Sequence, residues 1–278
     1  MKTLVFLSIF IHLNSFSQKI KAYYLSSELR EISGLESLND TLFIAVNDGG
    51  NEPLLYLINQ KGKILKTCRI NNATNIDWED LTSDHEGNLY IADIGNNSNR
   101  RTKMQILRVK VDSILQADSV RSAIYSFSYP NQEESQANIR ELNFDAESLS
   151  FYNDSLWIFT KNRSIPFDGK STVYAIHSKD LNLGNWCKKG EIVPGIKSWK
   201  YDTFTSSTIY KDTFYLITYN KLVIAKRKSN SFEIVNKKRF LKFNQRESIA
   251  ISPSGKIFIA NEGHFLLGKQ SLISYINE

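Results

Sequence analysis

The chain has few of the residues on which common enzyme and metal chemistries depend. Its 278 residues include 2 cysteines and 4 histidines, so a zinc site rich in histidine is not expected. It has no phosphate-binding glycine loop, no dinucleotide-binding fingerprint and no Gly-x-Ser-x-Gly nucleophile elbow. Apolar residues at helical spacing are almost absent as well. The sequence therefore argues against these chemistries and indicates an all-β chain.

The two cysteines are predicted to remain separate thiols. Cys68 and Cys187 fall in the outermost predicted strands of the first and third repeats described below, and those repeats are not neighbours. A disulfide requires Cα atoms no more than about 7 Å apart, so we do not expect a bond between them.

The charge of the chain says little about partners. The formal net charge is +6, and many basic residues lie between residues 226 and 246, on predicted outer strands. Lysines on exposed strands prevent unwanted strand pairing, and this interpretation is preferred to contact with a polyanion or a cell surface. No nucleic-acid partner is expected, and the chain is predicted to be a monomer.

The first seventeen residues resemble a secretory signal peptide. Lys2 precedes an apolar stretch from residue 4 to residue 13, and the small residues Ser15 and Ser17 follow it. About ten apolar residues are too few to span a bilayer, and no later segment approaches a membrane span. We therefore expect cleavage near Ser17, export to the periplasm or the extracellular space, and one domain over residues 18–278.

Five polar clusters along the chain each precede an apolar run that ends near Asn, Asp or Glu. The clusters are EISGL (31–35), DWEDL (77–81), DAESL (145–149), TFTSS (203–207) and QRESI (245–249). The runs are TLFIAVND (41–48), NLYIADIG (88–95), SLWIFTKN (155–162), TFYLITYN (213–220) and KIFIANEG (256–263). Each cluster ends 7 or 8 residues before the second residue of its run. Such a recurring unit of strands is typical of a β-propeller.

The runs are apolar at consecutive positions, as expected for strands that are buried on both faces. Neighbouring blades of a propeller provide that burial without any helix. Third and fourth strands follow each run, except that the last repeat ends with SLISYI (271–276). We predict one propeller of five four-stranded blades, with six blades as the alternative. Residues 20–25 are predicted to close the ring by completing the last blade.

The topology predicts that polar residues from all five repeats meet at one mouth of the channel. The third residue of each cluster faces this ring, namely Ser33, Glu79, Glu147, Thr205 and Glu247. Residues that follow the second strands are predicted to join them: Asn47, Asp48, Asp93, Asn96, Lys161, Asn162, Asn220, Asn261 and Glu262. Asp80 and Asp145 flank the ring. Crowded carboxylates must protonate, pair with bases or bind a cation, and oxygen ligands suit calcium.

Basic residues are predicted at the same mouth, among them Arg100, Arg101, Lys161, Arg163 and Arg246. Together with Asp48 and Asp145, they are candidates for binding a small polar or anionic ligand through charge-assisted bonds. The alternative is a self-neutralising network that only ties the blades together.

The catalytic residue cannot be named from the sequence. His264 is the one histidine placed to act as a general base, and an exposed loop position without a catalytic role is the alternative.

Several motifs resemble a known type of protein. The segments ISGL (32–35), VNDGGNEPLLYLIN (46–59), DWEDL (77–81), YIADIGNNSNRR (90–101), DAESL (145–149) and RESIA (246–250) are similar to those of exported bacterial propellers in the style of NHL repeats. More distantly, the chain resembles calcium-dependent lactonases and paraoxonases. That resemblance implies Glu79, Glu147 and Glu247 as metal ligands, with Asp93 and Asn261 in support. Those enzymes usually have six blades, and their catalytic residues do not match this chain one by one.

Two functional hypotheses follow. In the first, the mouth binds calcium and a small polar ligand, with hydrolysis of an ester or phosphoester as the possible reaction. In the second, the mouth is a structural network, and the protein is a non-catalytic module that contacts a protein or glycan at the cell surface.

Overall fold

A computed structural model describes residues 19–130, 132, 139–229, 231–264, 266 and 268–276. The predicted signal peptide, residues 1–17, lies outside the described residues. Among the described residues, no helix combines the length and the hydrophobicity needed to cross a lipid bilayer.

The described strands form five sheets arranged as the blades of a propeller. The first strand among the described residues is β1 (Lys19–Tyr24). Blade one contains β2 (Ile32–Ser37), β3 (Leu42–Asn47), β4 (Leu54–Asn59) and β5 (Ile64–Ile70). Blade two contains β6 (Trp78–Ser83), β7 (Asn88–Asp93), β8 (Met104–Lys110) and β10 (Ala123–Phe127). The two-residue strand β9 (Ser119–Val120) precedes β10.

The other three blades repeat this order. Blade three contains β11 (Ala146–Tyr152), β12 (Ser155–Thr160), β13 (Ser171–His177) and β14 (Cys187–Ile192). Blade four contains β15 (Ser206–Tyr210), β16 (Thr213–Thr218), β17 (Lys221–Lys228) and β18 (Ser231–Arg239). Blade five contains β19 (Arg246–Ile251), β20 (Ile257–Asn261) and β21 (Ser271–Ile276), completed by β1. Two short helices, α1 (Val111–Gln116) and α2 (Trp199–Asp202), lie in connections.

The prediction of five blades closed by the N-terminal strand is confirmed. β1 pairs antiparallel with β21, and Ala22 lies opposite Ile273. The inner strands pack around the channel in the order β2, β6, β11, β15 and β19, and β19 returns to β2. The first and last described strands thus share one sheet, which removes an open edge between blades five and one.

The apolar runs form the second strands, as predicted, and their side chains fill the spaces between blades. β3 and β20 show how: Phe43 and Phe258 are both fully buried between blades one and five, with ring centroids 4.5 Å apart. Five such apolar clusters, one per interface, lie in the described structure. Burial on both faces explains why these runs do not alternate between apolar and polar residues.

The outer part of blade two contacts blade one. Residues 119–127 form two separate strands: β9 pairs in parallel with β5 of blade one, whereas β10 pairs with β8 of blade two. The short connection between them joins the two blades at their outer edges. Both cysteines are free, as predicted: Cys68 is buried on β5 and Cys187 is exposed on β14.

A buried carboxylate in the channel links three blades. Asp80 on β6 accepts hydrogen bonds from the backbone N–H of Leu149 on β11, at 2.9 Å, and from the Ser206 hydroxyl on β15, at 3.1 Å. The N–H groups of Leu81 and Ser207 also donate to it. Burial raises the pKa of Asp80, and these four hydrogen bonds oppose that rise. Asp80 is therefore a structural link and not an open ligand.

We expect Asp80→Ala to destabilise the propeller by about 3 kcal/mol or more, because it leaves several buried donors without an acceptor. Chemical denaturation measures this free energy of unfolding. Asp118→Ala is the matched control, since Asp118 is almost fully exposed and forms only a surface ion pair with Lys66, which contributes less than about 1 kcal/mol. Equal losses in the two variants would contradict the role assigned to Asp80.

Candidate functional site

A cavity of about 310 Å³ lies at the end of the channel where the inner strands begin. This end is called the mouth. Side chains from all five blades line the cavity. They are Glu31, Ile32, Ser33, Asp48, Glu79, Asn97, Glu147, Lys161, Arg163, Trp199, Tyr219, Gln245, Glu247 and Glu262.

β-Bulges lie beside the predicted ring residues that line this cavity. The pairing register shifts between Ile32 and Gly34 in β2, and between Trp78 and Asp80 in β6. Corresponding shifts flank Glu147 in β11 and Glu247 in β19. A bulge inserts one extra residue and re-aims a side chain. The bulged residues Ser33, Glu79, Glu147 and Glu247 all line the mouth.

The inner strand of blade four does not share this feature. β15 pairs with β16 in unbroken register, and Thr205, just before β15, donates its hydroxyl hydrogen to the Arg246 carbonyl. Thr205 is buried between blades and does not line the cavity. The predicted ring of five is therefore a set of four side chains, three of them glutamates.

Two groups of carboxylates on one side of the mouth can each hold a metal ion. One group is Asp48, Asp77 and Glu79, and the other is Glu79, Asp145 and Glu147; in each, one oxygen from every residue lies within 4.8 Å of the others. Glu79 belongs to both groups and is only 6% exposed.

Glu79 has no compensating partner within the described part of the chain. Its carboxylate accepts no hydrogen bond there and has no cationic group within ion-pair distance. Burial, followed by the negative charges of Glu147 and Asp48, raises its pKa well above the ordinary value.

The same physical causes act on four other carboxyl groups at the mouth. Burial raises the pKa of Asp48 to about 7 and that of Asp77 to about 6, with further contributions from neighbouring acids. The pKa values of Glu247 and Glu262, on the blade-five side, are also raised to about 7, chiefly by burial. The mouth thus holds several carboxyl groups that resist ionisation unless positive charge is added.

Two glycines make room for this acidic group. A Cβ atom on Gly95 would collide with the carboxylates of Asp77 and Glu79, and one on Gly49 would collide with that of Asp77. These glycines follow β7 and β3, so two loops approach Asp77 at backbone distance. Any side chain at either position would displace the carboxylates.

Two cationic side chains neutralise the carboxylates of Glu147 and Asp145, on the blade-three side of the acidic cluster. Lys161, buried after β12, forms an ion pair with Glu147 and lies 3.3 Å from the Tyr219 hydroxyl. Arg163 donates to Asp145 at 2.8 Å and lies 3.7 Å from Glu147. Its guanidinium also stacks 4.9 Å from the Trp199 ring. The predicted structural network is therefore present around Glu147 and Asp145, but it does not extend to Glu79.

Several predicted site residues lie outside the cavity lining. Asp93 is fully buried in an ion pair with Arg101, at 2.7 Å, and Asn261 donates to the Ser271 hydroxyl. Arg246 donates to the carbonyls of Tyr219 and Lys242 and stacks on Phe240.

Two further candidates, Arg100 and His264, also lie away from the cavity lining. Arg100 is exposed on the loop after β7. His264 lies in a turn, where its Nδ1 accepts a hydrogen bond from the Leu266 N–H. Of the predicted ligand-binding and metal residues, the lining includes Asp48, Glu79, Glu147, Lys161 and Glu247, with Asp145 directly behind them.

Sequence reasoning missed several residues at the mouth. Asp77 opens the DWEDL cluster, and the glycines after the first two runs were the available signal for a close backbone approach to it. Tyr219 had no such signal, because the fold of the loop after β16 brings it to the cavity.

Comparisons with known proteins identify the fold. No family model matches the chain, and no curated protein sequence matches it. Glutaminyl cyclase of Myxococcus xanthus matches with a TM-score of 0.53 and 11% identity over 93% of this chain and 98% of that chain. A putative glucose dehydrogenase of Thermus thermophilus matches with a TM-score of 0.53 and 10% identity, over 93% of this chain and 100% of that chain. The gluconolactonase XC5397 of Xanthomonas campestris matches with a TM-score of 0.45 and 10% identity, over 84% of this chain and 69% of that chain.

At these identities, the comparisons show a distant similarity to β-propellers and nothing about activity. The narrower resemblances, to exported propellers of NHL style and to calcium-dependent lactonases, stay predictions.

The raised pKa values predict how stability depends on pH when no divalent cation is present. Asp48, Glu247 and Glu262 have ordinary pKa values of 3.8 to 4.5 and folded values of about 7. Their contribution to stability is therefore fully present below about pH 4 and is lost as the pH rises through 7. In the presence of a chelator, we expect the melting temperature to fall as the pH is raised from about 5 to about 8.

Asp48→Asn removes one of these groups and should make the fall with pH shallower, whereas Asp118→Asn, at an exposed site, should not. A melting temperature that rises steadily over this interval would show that the mouth carboxyl groups are not protonated in the folded protein.

Proposed function

We propose that the mouth binds a divalent cation, calcium, through Glu79 together with Asp48, Asp77, Asp145 and Glu147. The observation that carries this proposal is the Glu79 carboxylate, buried among four other acids and compensated by none of the described cations. A buried unpaired carboxylate is costly, and a bound cation removes that cost.

Calcium suits this group better than zinc. The available ligand atoms are carboxylate oxygens, with no cysteine or histidine among the lining residues, and hard cations prefer oxygen. Calcium–oxygen distances are about 2.3–2.6 Å, so two oxygens on opposite sides of one ion lie about 5 Å apart. Oxygens within 4.8 Å of one another are therefore close enough to share an ion.

The second part of the proposal is a small anionic ligand beside the cation. Arg163 and Lys161 line the same cavity, and their charges face the acidic group across Glu147. An arginine held by Asp145 and stacked on Trp199 is fixed in one orientation, which favours recognition of a carboxylate or phosphate. The cavity volume of about 310 Å³ suits a small molecule.

Hydrolysis of an ester or phosphoester is the reaction class that fits such a pair of sites. A bound divalent cation polarises a carbonyl or phosphoryl oxygen. Arg163 would orient the anionic group, and Trp199 would limit access of water from the side of blades three and four. The alternative is a binding module without catalysis, whose partner is a protein or glycan at the cell surface.

Calcium binding is tested by calorimetry and by thermal shift on chelator-treated protein. Calcium should raise the melting temperature, since a ligand bound only by the folded state stabilises it. The gain should be larger at pH 8 than at pH 5, because protons compete for the same oxygens. Glu79→Gln should weaken calcium binding at least about tenfold, which corresponds to about 1.4 kcal/mol.

Glu86→Gln is the matched control, since Glu86 is exposed in the turn between β6 and β7 at the opposite end of the channel. Failure of calcium, magnesium and manganese to bind the unsubstituted protein would refute the cation proposal. Equal weakening of calcium binding in Glu79→Gln and Glu86→Gln would also refute the cation proposal.

The anionic ligand is tested with glycerol phosphate as the probe and glycerol as the uncharged comparison. We expect glycerol phosphate to bind in the presence of calcium, and Arg163→Gln to weaken it about tenfold through loss of a charge-assisted bond. Arg227→Gln is the control, because Arg227 also stacks on a tryptophan, at 4.5 Å from Trp157, but lies in a different groove.

The reaction is tested in the same solutions with p-nitrophenyl phosphate and p-nitrophenyl acetate. Calcium-dependent release of p-nitrophenol that is lost in Glu79→Gln supports a hydrolase. Binding of calcium and ligand without release of p-nitrophenol favours the binding module. If glycerol binds as tightly as glycerol phosphate, the anionic subsite is refuted.

A further inference from the structure

Three loops beside the mouth pack together into one continuous surface. The loops comprise residues 161–170, 193–203 and 240–245, and the surface they form is called the rim surface. Arg163 of the first loop stacks on Trp199 of the second at 4.9 Å. Tyr201 of the second loop contacts Phe243 of the third, with ring centroids 5.5 Å apart. These contacts hold the three loops, which connect strands of blades three, four and five, in a fixed relation.

Large apolar side chains project from each of these loops. Ile165 is 61% exposed, Ile196 is 75% exposed and Leu241 is 100% exposed. Trp199, on α2, is 44% exposed even though its ring also covers Arg163. Soluble monomers rarely expose several large apolar side chains on one face without a binding role.

The charge on the rim surface is predominantly positive. Lys197, Lys200 and Lys242 are exposed on it, and the ammonium group of Lys197 lies 4.3 Å from the Tyr201 ring centroid. The acids of these loops are occupied: Asp202 is buried against Lys221, and Asp168 lies 3.4 Å from Lys170. The rim surface therefore presents apolar side chains surrounded by net positive charge.

We propose that the rim surface docks onto a lipid bilayer that contains anionic headgroups. Apolar side chains that project separately from loops can enter the boundary between headgroups and acyl chains, and tryptophan favours that boundary. Lysines beside them meet the negative surface charge of the bilayer. This charge complementarity favours anionic lipid over an uncharged surface. Docking would place the mouth next to the bilayer, and it does not depend on cation binding in the cavity.

Vesicle co-sedimentation tests the proposal, with vesicles of phosphatidylcholine alone and of phosphatidylcholine mixed with phosphatidylglycerol. We expect the protein to bind the mixed vesicles and to be released by salt, because screening weakens the lysine contribution. Leu241→Ser should lower the partition coefficient about tenfold, since it removes one inserted apolar side chain. The double variant Lys197→Gln, Lys200→Gln should lower it roughly thirtyfold.

Matched controls lie at the opposite end of the channel. Leu183 is 65% exposed there, and Leu183→Ser should leave binding unchanged, as should the double variant Lys61→Gln, Lys63→Gln. All of these positions are exposed, so folding is preserved, which circular dichroism checks.

Three results would overturn the proposal. They are no binding of the unsubstituted protein to the mixed vesicles, equal losses in the control variants, and unchanged binding of Leu241→Ser. Gel filtration tests the alternative that the rim surface binds a second copy of the chain. That alternative holds if the protein does not bind vesicles, forms a dimer, and becomes monomeric in Leu241→Ser.

Discussion

The cost of burying negative charge governs the mouth of this propeller. Six carboxylate side chains line the cavity, against the two cations Lys161 and Arg163. Those two cations are already engaged by Glu147 and Asp145. Burial disfavours the charged form of several other lining acids, and it raises the pKa values of Asp48, Glu79, Glu247 and Glu262. A folded protein can hold such a carboxyl group without a large loss of stability when a proton or a bound cation neutralises its charge.

The ring architecture makes this concentration of charge stable. Each inner strand packs against two neighbours around the channel, and the apolar clusters between blades supply the burial that holds the ring closed. Asp80 reaches across the channel to β11 and β15, so the inner strands are joined by hydrogen bonds as well as by packing. The bulges then occur at the ends of the strands, where a local irregularity does not disturb the core.

Different parts of the molecule could be read from the sequence to different degrees. Consecutive apolar residues in runs such as LFIAVN (42–47) predicted the second strands and their double burial, and the unpaired segment 20–25 predicted the closure of the ring. Glu79 and Glu147 were found because the cluster spacing places them at equivalent positions. Asp93 and Arg101 were both placed at the mouth, yet they bind each other. A charge pair between two positions of one loop region has no signature in a single sequence.

The sequence by itself determined the repeat, because apolar runs and turn residues at regular spacing specify strands through local and short-range physics. It thereby determined the all-β class, the number of blades and the end of the channel at which the acids gather. Only the tertiary structure decided which acids are compensated. Lys161 and Arg163 follow β12 and pair with Glu147 and Asp145 of the same blade, a choice that depends on how the chain folds back. The bulges that aim the glutamates arise from strand register. Burial, and with it the pKa of each carboxyl group, depends on neighbours that are distant in the chain.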